Sequence, residues 1–376
     1  MTDAQIVDAT LIDQWADGKR DTVALHLRQE LLPAEGNGAV IFPPTYAQGE
    51  GEKTRSPYTI DTLADGTKVA QIDTVGSQAN RMEPLFLKAK LGHPENPLAR
   101  LVPQIEIDIG NERTVSLLEA GHRLGDAIVR ASDLEQPAKD AFAAYRDRGD
   151  AFLIAKLAPT TLVFGAWDSR GEGAKIPRLV SATIRAWDVD ELKRSAQYSP
   201  PIDYSKHGVF SEEDKEKSEG NPKSKLAQRG FVAVPSIGAH GGVVAHGPIH
   251  RDVTVNLVAL RQLGGESGEK LRRYILALAL LAAAEPQDGF LRQGCLLTLD
   301  PDKPGCWESV ARTGHRSPLH IDASVFETYA REAARAFGVG ADRRVKFKPE
   351  KAKADLREAD ARKSKKKGAT ADTPTT

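Results

Sequence analysis

The segment Arg178-Leu-Val-Ser-Ala-Thr-Ile-Arg-Ala-Trp187 decides the fold class, because its side chains alternate between two kinds of face. Val, Ala and Ile occupy every second position from Val180 to Ala186, whereas Ser, Thr, Arg and Trp occupy the positions between them. Successive side chains of a strand point to opposite sides of a sheet, so the pattern predicts a half-buried strand. An Arg and an aromatic on an open sheet face favour contacts with single-stranded RNA, although an ordinary solvated face with a lone Trp remains the alternative.

Other periodic segments surround this strand with a mixture of helices and strands. Gln104–Ile109 alternates strictly and predicts a second half-buried strand, and Thr160–Trp167 predicts a strand that leads into a turn. Ile12–Leu32 predicts a helix with a break at Gly18, and Glu269–Ala284 predicts a buried helix. The sequence therefore predicts an α+β protein.

The composition is that of a globular protein with two cysteines. The chain has 376 residues, 40% hydrophobic residues and a formal net charge of zero, which excludes a basic coat over the whole surface. Cys295 and Cys306 provide neither a disulfide framework nor zinc-finger spacing. The N-terminus lacks the pattern of a signal peptide, and the apolar run Ile275–Ala284 is shorter than the roughly 20 residues of a membrane span. We therefore expect a cytoplasmic protein.

Charge and apolar content divide the chain into a body, an insertion and a tail. Residues 1–340 form the predicted domain, in which the polar stretch at residues 198–228 predicts a flexible insertion. Residues 341–376 predict a basic, disordered tail, since Arg343–Lys367 holds 12 Lys or Arg against 4 Asp or Glu. The remainder of the chain is slightly acidic, so any nucleic-acid surface on the body must be local.

The segment Asp73-Thr-Val-Gly-Ser-Gln-Ala-Asn-Arg-Met-Glu83 concentrates hydrogen-bond donors in a few positions. It follows the strand-like Lys68–Asp73, so we predict a loop that presents Ser, Gln, Asn and Arg side chains. These groups donate to phosphodiester oxygens and can reach base edges. A local capping network is an equally good interpretation of this segment alone.

Two further segments carry candidate contacts. Gly121-His-Arg-Leu-Gly-Asp-Ala127 belongs to a predicted amphipathic helix that Asn111 can cap, with Leu117, Gly121, Leu124 and Ile128 on its apolar side. His122 and Arg123 lie beside that side and are either functional or simply packed. Gly165-Ala-Trp-Asp-Ser-Arg-Gly171 predicts a turn in which Asp168 orients Ser169 or Arg170. The two basic residues at 175 and 178 follow shortly after this turn.

Three histidines, His240, His246 and His250, lie within eleven residues and raise the possibility of a metal site. Gly241, Gly242, Gly247 and Pro248 oppose the helix that would align ligands at helical spacing, and no carboxylate or cysteine lies close in sequence before Asp252. Hydrogen bonding or stacking by the histidines is therefore favoured over metal binding. The sequence contains no nucleophile elbow, Walker loop or dinucleotide-binding glycine motif.

Several of these motifs, in this order, resemble the backbone subunit of type I-G (formerly I-U) CRISPR effector complexes. The resemblance is carried by the Ser-Gln-Ala-Asn-Arg segment, by Gly165–Gly171 with Pro177–Trp187, and by Leu32-Pro-Ala-Glu-Gly36 with Phe42-Pro-Pro-Thr-Tyr46. It runs from about residue 31 to about residue 284. The family is a branch of the RAMP superfamily, whose members assemble along guide RNA.

The resemblance implies an RRM-like (ferredoxin-like) core with large insertions, and copies that stack into a helical filament on the guide. It implies no cofactor and no catalytic activity, with the insertion at residues 198–228 as the candidate "thumb" that displaces a guide nucleotide. The implied partners are CRISPR guide RNA, further copies of the protein, an RNA-processing or end-capping subunit, a large subunit, and target DNA through the guide. Two alternatives remain open: a metal-dependent ribonuclease that uses Asp168 with His240, His246 and His250, and a protein-interaction scaffold that binds no RNA.

Motifs and resemblance together give a set of expected RNA-binding residues. They are Ser77, Gln78, Asn80, Arg81, His122, Arg123, Trp167, Ser169, Arg170, Lys175, Arg178, His246, Arg251, Arg272 and Arg273.

Overall fold

The computed structural model of the protein describes residues 4–17, 21–45, 56–88 and 95–357. Its helices are α1 (Ala9–Asp17), α2 (Val75–Met82), α3 (Ala127–Arg130), α4 (Glu135–Arg148), α5 (Phe152–Leu157), α6 (Thr160–Phe164), α7 (Glu212–Ser218), α8 (Lys225–Gln228), α9 (Leu257–Arg261), α10 (Gly268–Ala284) and α11 (Ala323–Phe337). Four short 3-10 helices cover Glu83–Phe86, Pro97–Leu101, Leu117–Glu119 and Arg123–Gly125.

The strands are β1 (Gln5–Ile6), β2 (Thr22–Pro33), β3 (Ile60–Thr62), β4 (Lys68–Asp73), β5 (Ile105–Gly110), β6 (Arg113–Ser116), β7 (Ala166–Trp167), β8 (Lys175–Ile176), β9 (Val180–Trp187), β10 (Val189–Tyr198), β11 (Val234–Ala245), β12 (Ile249–Asn256), β13 (Phe290–Arg292), β14 (Cys295–Leu299), β15 (Cys306–Ala311), β16 (Arg316–His320) and β17 (Arg343–Lys346). The prediction of an α+β protein is confirmed.

The main sheet contains the strand order of a ferredoxin-like core. Along the sheet the order is β1-β16-β15-β2-β12-β9-β4-β3, with β14 also paired to β2 and to β13. The central strands β15, β2, β12 and β9 are antiparallel neighbours. A long connection with several helices joins β2 to β9, and α10 follows β12, which gives the split β-α-β arrangement. The chain therefore supplies an RRM-like sheet with large insertions.

One face of this sheet packs against helices. β9 alternates as predicted, since Val180, Ala182, Ile184 and Ala186 are all buried. The helix α10 is buried around most of its circumference, and it packs with α1, α6, α9 and α11 against the same face. The predicted helix Glu269–Ala284 is thereby confirmed to within one residue.

The predicted helix at Ile12–Leu32 is wrong in its second half. α1 ends at Asp17, and Thr22–Pro33 is the long central strand β2. Leu25, Leu27 and Leu31 are buried at even spacing, which is the period of a strand. Pairing with β12 on one side and with β15 and β14 on the other outweighs the helix propensity of these leucines.

The predicted strand Thr160–Trp167 is also largely helical. Its first part is α6, and only Ala166–Trp167 forms a short strand, paired with β8. Five consecutive buried residues from Thr160 to Phe164 suit a helix enclosed on all sides, which periodicity alone does not distinguish from a buried strand.

The insertion at residues 198–228 is folded, contrary to the expectation of a structureless segment. It lies at the end of the long antiparallel hairpin β10–β11, which joins β9 to β12. Ser211 caps α7, and Lys215 forms an ion pair of 2.7 Å with Asp203. Tyr204 packs edge-on against Phe231, with 5.0 Å between ring centroids. These aromatic residues flank the polar run and supply the apolar contacts that it lacks.

The chain beyond residue 340 continues the fold for some distance. β17 pairs in parallel with β5, which also pairs with β6, and residues 349–357 are helical. The expected boundary between body and tail at residue 340 is therefore wrong, since backbone pairing with β5 orders the first basic residues. The cluster at residues 363–367 lies outside the described residues. Within the described part of the chain, no helix combines the length and apolar character needed to cross a bilayer.

Candidate nucleic-acid interface

The segment after Asp73 is a helix rather than a donor-rich loop. Thr74 caps α2, because its Oγ1 accepts a hydrogen bond of 3.2 Å from the Ser77 backbone N–H. Side chains of a helix point in several directions. The polar cluster is consequently divided between two buried networks, one around Asp73 and Arg251 and the other around Arg123.

The first part of the cluster forms a buried network beneath α2. Gln78 donates to Asp73 Oδ2 at 2.7 Å, and Arg251 on β12 donates to Gln78 Oε1 at 3.0 Å. Arg81 Nε lies 3.0 Å from the same Asp73 oxygen, and Arg81 Nη2 donates to the Leu291 carbonyl at 2.9 Å. Gln78 and Arg251 are only 1% and 3% exposed. Contrary to expectation, they therefore do not lie on an open surface.

The second part is a buried ion pair that joins α2 to the turn before α3. Arg123 Nε lies 2.7 Å from Glu83 Oε2, and Arg123 also donates to Asn80 Oδ1 and to the Gly165 carbonyl, each at 3.3 Å. Its guanidinium lies 5.2 Å from the centroid of Phe164. Burial raises the pKa of Glu83 to about 7, although the Arg123 charge opposes that rise, and burial lowers the pKa of Arg123.

The predicted helix for Gly121–Ala127 is wrong, and that error changes the role of Arg123. Arg123 begins the short 3-10 helix Arg123–Gly125 with φ 54° in the left-handed region, and His122 directly precedes it. This short helix directs Arg123 into the interior, where it is 3% exposed, whereas His122 stays at the surface. Arg123 is therefore a structural residue at the base of the groove, where burial leaves little of its side chain for a ligand.

A groove of about 580 Å³ lies above this ion pair and collects the residues that were predicted from separate motifs. Its lining comprises Gly121, His122, Arg123, Gly165, Ala166, Trp167, Lys175, Ile176, Pro177 and Arg178. Trp167 is 62% exposed, and Lys175 Nζ lies 5.1 Å from its ring centroid. Neither Lys175 nor Arg178 forms an ion pair within the described ranges, so both charges are available to a ligand.

The short hairpin β7–β8 gives the groove its geometry. Trp167 and Lys175 are directly opposite each other across the hairpin, which places the ammonium group over the indole. Gly165 has φ 76°, and a Cβ atom there would lie 2.9 Å from both Arg178 Cγ and the Ile176 carbonyl oxygen. Only glycine allows Arg178 to pass this close to the backbone.

Asp168 orders the turn between β7 and β8, although not through the predicted partners. Its Oδ2 accepts a hydrogen bond of 2.6 Å from the Glu172 backbone N–H, and the side chain is buried. Ser169 and Arg170 are exposed. A Cβ atom on Gly171 would collide with the Asp168 carboxylate. Asp168 is thus an orienting acceptor, as expected, but it orients the backbone at Glu172 and not the side chain of Ser169 or Arg170.

The open face of the main sheet is polar, and several of its charges are paired with one another, although Arg185 on β9 is exposed and has no ion pair among the described residues. Asp252 on β12 lies 2.7 Å from Arg28 Nε and 3.1 Å from His26 Nε2 on β2. Glu308 on β15 lies 2.9 Å from Arg316 on β16. Cross-strand pairs of opposite charge stabilise a sheet and leave less charge for a ligand. The groove beside Trp167 is therefore the stronger candidate for phosphate contacts.

The remaining expected residues lie apart from the groove. On α10, Arg272 donates to the Ala16 carbonyl at 3.1 Å, and Arg273 lies 3.1 Å from Asp13. Both arginines hold α1 in place. His246 Nε2 lies 3.0 Å from Asp190 at the base of the long hairpin. None of the three lines the groove.

The three clustered histidines have separate surroundings. His240 packs edge-on against Tyr58 at 5.8 Å, and His250 lies 3.8 Å from Glu30. His246 has Asp190 as its partner. Among the described residues, no group of three or more His, Cys, Asp or Glu side chains could hold a metal ion.

The sequence analysis did not identify Glu83 and Gly165 as parts of the site. Glu83 is 40 positions from its partner Arg123, and no periodic pattern connects the two. Gly165 begins the motif Gly165–Gly171, and its position just before the turn that carries Trp167 is the sequence feature that could have identified it.

Comparison with known families shows what the region around this groove is similar to. Residues 25–191 match the family model described as CRISPR-associated protein GSU0053, and this region includes most of β2, all of α2 and every residue that lines the groove. The comparison with curated proteins gives no match. Residues 25–191 are thus similar to a CRISPR-associated family, and the recognition made from the sequence is confirmed at that level.

Proposed function

We propose that the protein is a non-catalytic backbone subunit of a type I-G CRISPR effector complex, and that the groove beside Trp167 holds guide RNA. The family match supports a role in a CRISPR complex. The observation that carries the RNA assignment is the combination of one exposed Trp with the unpaired cations Lys175 and Arg178 in a single groove. Single-stranded RNA is bound through aromatic stacking together with phosphate contacts.

The proposed assembly consists of copies arranged along the guide, with the RNA-processing and large subunits as further partners in the cytoplasm. The guide then pairs with target DNA. The folded tip of β10–β11 is the candidate thumb, because it is carried on a long hairpin beyond the core. The subtype, the copy number and this assignment of the tip are parts of the proposal.

Removal of the two groove cations tests the RNA assignment. In the double variant Lys175→Gln/Arg178→Gln, affinity for single-stranded RNA should fall at least about tenfold, and the log–log salt slope should fall by about 1.4, because roughly 0.7 ions are released per phosphate contact. The matched control is Arg316→Gln/Arg331→Gln, since both arginines are exposed and paired with Glu308 and Glu327. Equal losses in the two double variants would contradict a specific groove.

The absence of catalysis is a separate part of the proposal. Purified protein should leave labelled RNA and DNA intact in the presence of magnesium, manganese or zinc. Cleavage that requires metal and disappears in Asp168→Ala or His246→Ala would instead establish the ribonuclease alternative.

A further inference from the structure

Arg251 is a buried cation without an acidic partner. Its side chain is 3% exposed, and its Nε and Nη1 donate to the neutral amide oxygens of Gln78 and Gln29 at 3.0 and 2.6 Å. Its Nη2 lies 3.6 Å from Met82 Sδ. It forms no ion pair with any residue in the described ranges. Burial lowers its pKa to about 10, so it remains charged at neutral pH.

A buried and uncompensated charge is expensive, and an anion held against it would remove that cost. The carboxylate closest in the network does not provide this compensation. Asp73 is already paired with Arg81, and it reaches Arg251 only through the amide of Gln78. The group of Asp73, Arg81 and Arg251 therefore carries one excess positive charge.

A small cavity of about 70 Å³ lies against Arg251. Arg81, Gln29, Gln287 and Thr298 also line it, so guanidinium, amide and hydroxyl groups occupy part of a wall that is otherwise formed mainly by apolar side chains such as Leu31, Ile184 and Leu297. Its volume has room for several water molecules, and hence for one tetrahedral oxyanion. Asp288 contributes to the lining too, but its side chain is exposed and has no ion pair within the described part of the chain.

A wider groove leads to this cavity from the surface. It shares Arg81, Leu297, Thr298 and residues 286–289 with the cavity lining. A phosphate group can thus enter past Arg81 and reach Arg251. Arginine forks, amides and hydroxyls are the groups that bind phosphate oxygens in nucleic-acid complexes.

We propose that the Arg251 cavity is a phosphate-binding site, located on the opposite side of α2 from the groove beside Trp167. The phosphate is either a phosphodiester of the bound RNA or a free phosphate. Binding of an RNA phosphodiester here rests on the proposed function, whereas binding of free phosphate does not. In this proposal Gln78, Arg81 and Arg251 do serve ligand binding, as the sequence predicted, but at a cavity and not on an open loop.

The substitution Gln29→Glu provides a sharp test. It keeps the shape of the side chain and places a carboxylate 2.6 Å from Arg251 Nη1, so the missing counter-ion becomes part of the protein. We expect wild-type protein to gain at least about 2 °C in Tm in sodium phosphate relative to sodium chloride at equal ionic strength. Gln29→Glu should have a higher Tm without phosphate and should lose the gain. The control Gln197→Glu makes the same change on an exposed strand and should retain it.

Arg251→Met should also lose the rise in Tm that phosphate causes. If Arg251→Met fails to fold, Gln29→Glu alone tests whether phosphate binds at this cavity. An RNA titration of Gln29→Glu identifies the source of the phosphate. Affinity at least about tenfold below wild type indicates a phosphodiester. Unchanged RNA affinity with a lost phosphate gain indicates a free phosphate.

Two results would overturn the site. One is a phosphate gain in Tm that persists in both Gln29→Glu and Arg251→Met. The other is the absence of any gain in wild type together with unchanged RNA affinity in Gln29→Glu. If wild-type protein binds phosphate but no RNA, the proposed function fails and the phosphate site stands.

Discussion

Arginine has opposite roles in the buried Glu83–Arg123 ion pair and in the groove above that pair. Arg123 is enclosed and lies 2.7 Å from Glu83, whereas Arg178 is exposed and has no ion pair in the described part of the chain. Both arginines belong to the lining of one groove. They are also close enough that the Arg178 charge contributes to the lowered pKa of Arg123.

This difference shows that burial, and not residue type, separates a structural cation from an available one. A buried charge depends on its partner, and removal of either member leaves an uncompensated charge. An exposed charge contributes little to stability and is free to bind a phosphate. Variants of the two arginines should therefore separate stability from RNA affinity.

The largest effect is expected from Arg123→Met. It leaves Glu83 buried without a partner and removes the hydrogen bonds to Asn80 and Gly165, so the free energy of unfolding should fall by about 3–5 kcal/mol. Arg178→Met should change it by less than about 0.5 kcal/mol. Urea denaturation of both variants measures the contrast, and similar losses in the two would contradict it.

The Glu83–Arg123 pair should also make the free energy of unfolding depend on pH. Because burial raises the pKa of Glu83 from 4.5 to about 7, the folded protein holds a proton that the unfolded chain releases between these values. The free energy of unfolding should therefore fall as pH rises through this window. Glu83→Gln lacks this dependence, so wild type should lose up to about 3 kcal/mol relative to it between pH 4.5 and pH 7.

Urea denaturation of wild type and Glu83→Gln across this pH range measures the difference. Since all other ionisable groups are shared, the difference isolates Glu83. If wild type gained stability relative to Glu83→Gln as pH rises, attraction to Arg123 would outweigh burial and the pKa of Glu83 would be lowered.

The sequence predicted the composition of the groove better than it predicted the division between buried and exposed residues. Trp167 and Arg178 were identified from local motifs, because a turn and an alternating strand are visible over about ten residues. The burial of Gln78, Arg123 and Arg251 depends on contacts between distant segments. Arg251 and its partner Gln29 are 222 positions apart, and only the pairing of β12 with β2 brings them together.

The same limit explains the errors in the fold. The strand β9 and the helix α10 were predictable, because each shows one clear period in the sequence. β2 contains leucines at both strand and helix spacing, so tertiary pairing decided its structure. For β17, the parallel pairing with β5 outweighs the high charge of the segment.

A smaller effect is expected from Gly165, which connects the two regions. Gly165→Ala should lower the free energy of unfolding by about 2–3 kcal/mol, because φ 76° is unfavourable for alanine and the new Cβ would meet Arg178 and Ile176. Gly173→Ala is the matched control, with φ 74° and no atom within 4 Å of its Cβ, and should cost about 1 kcal/mol. Equal costs in thermal or urea unfolding would show that the groove wall yields to the methyl group.

The smallest effect on stability, together with a clear effect on binding, is expected at Trp167. Its ring is 62% exposed, so Trp167→Ala should change the free energy of unfolding by less than about 0.5 kcal/mol. Stacking of one base on an aromatic ring contributes about 1–3 kcal/mol, so RNA affinity should fall about 5- to 100-fold. Trp167→Phe keeps an aromatic face and should recover part of that loss. Trp15 is buried and Trp187 and Trp307 are half-buried, so Trp167 is the most exposed tryptophan, and quenching of fluorescence by RNA should decrease in Trp167→Phe if the base stacks on this ring. Unchanged affinity and quenching in these variants would leave the cations as the RNA-binding elements of the groove and exclude a stacking role for Trp167.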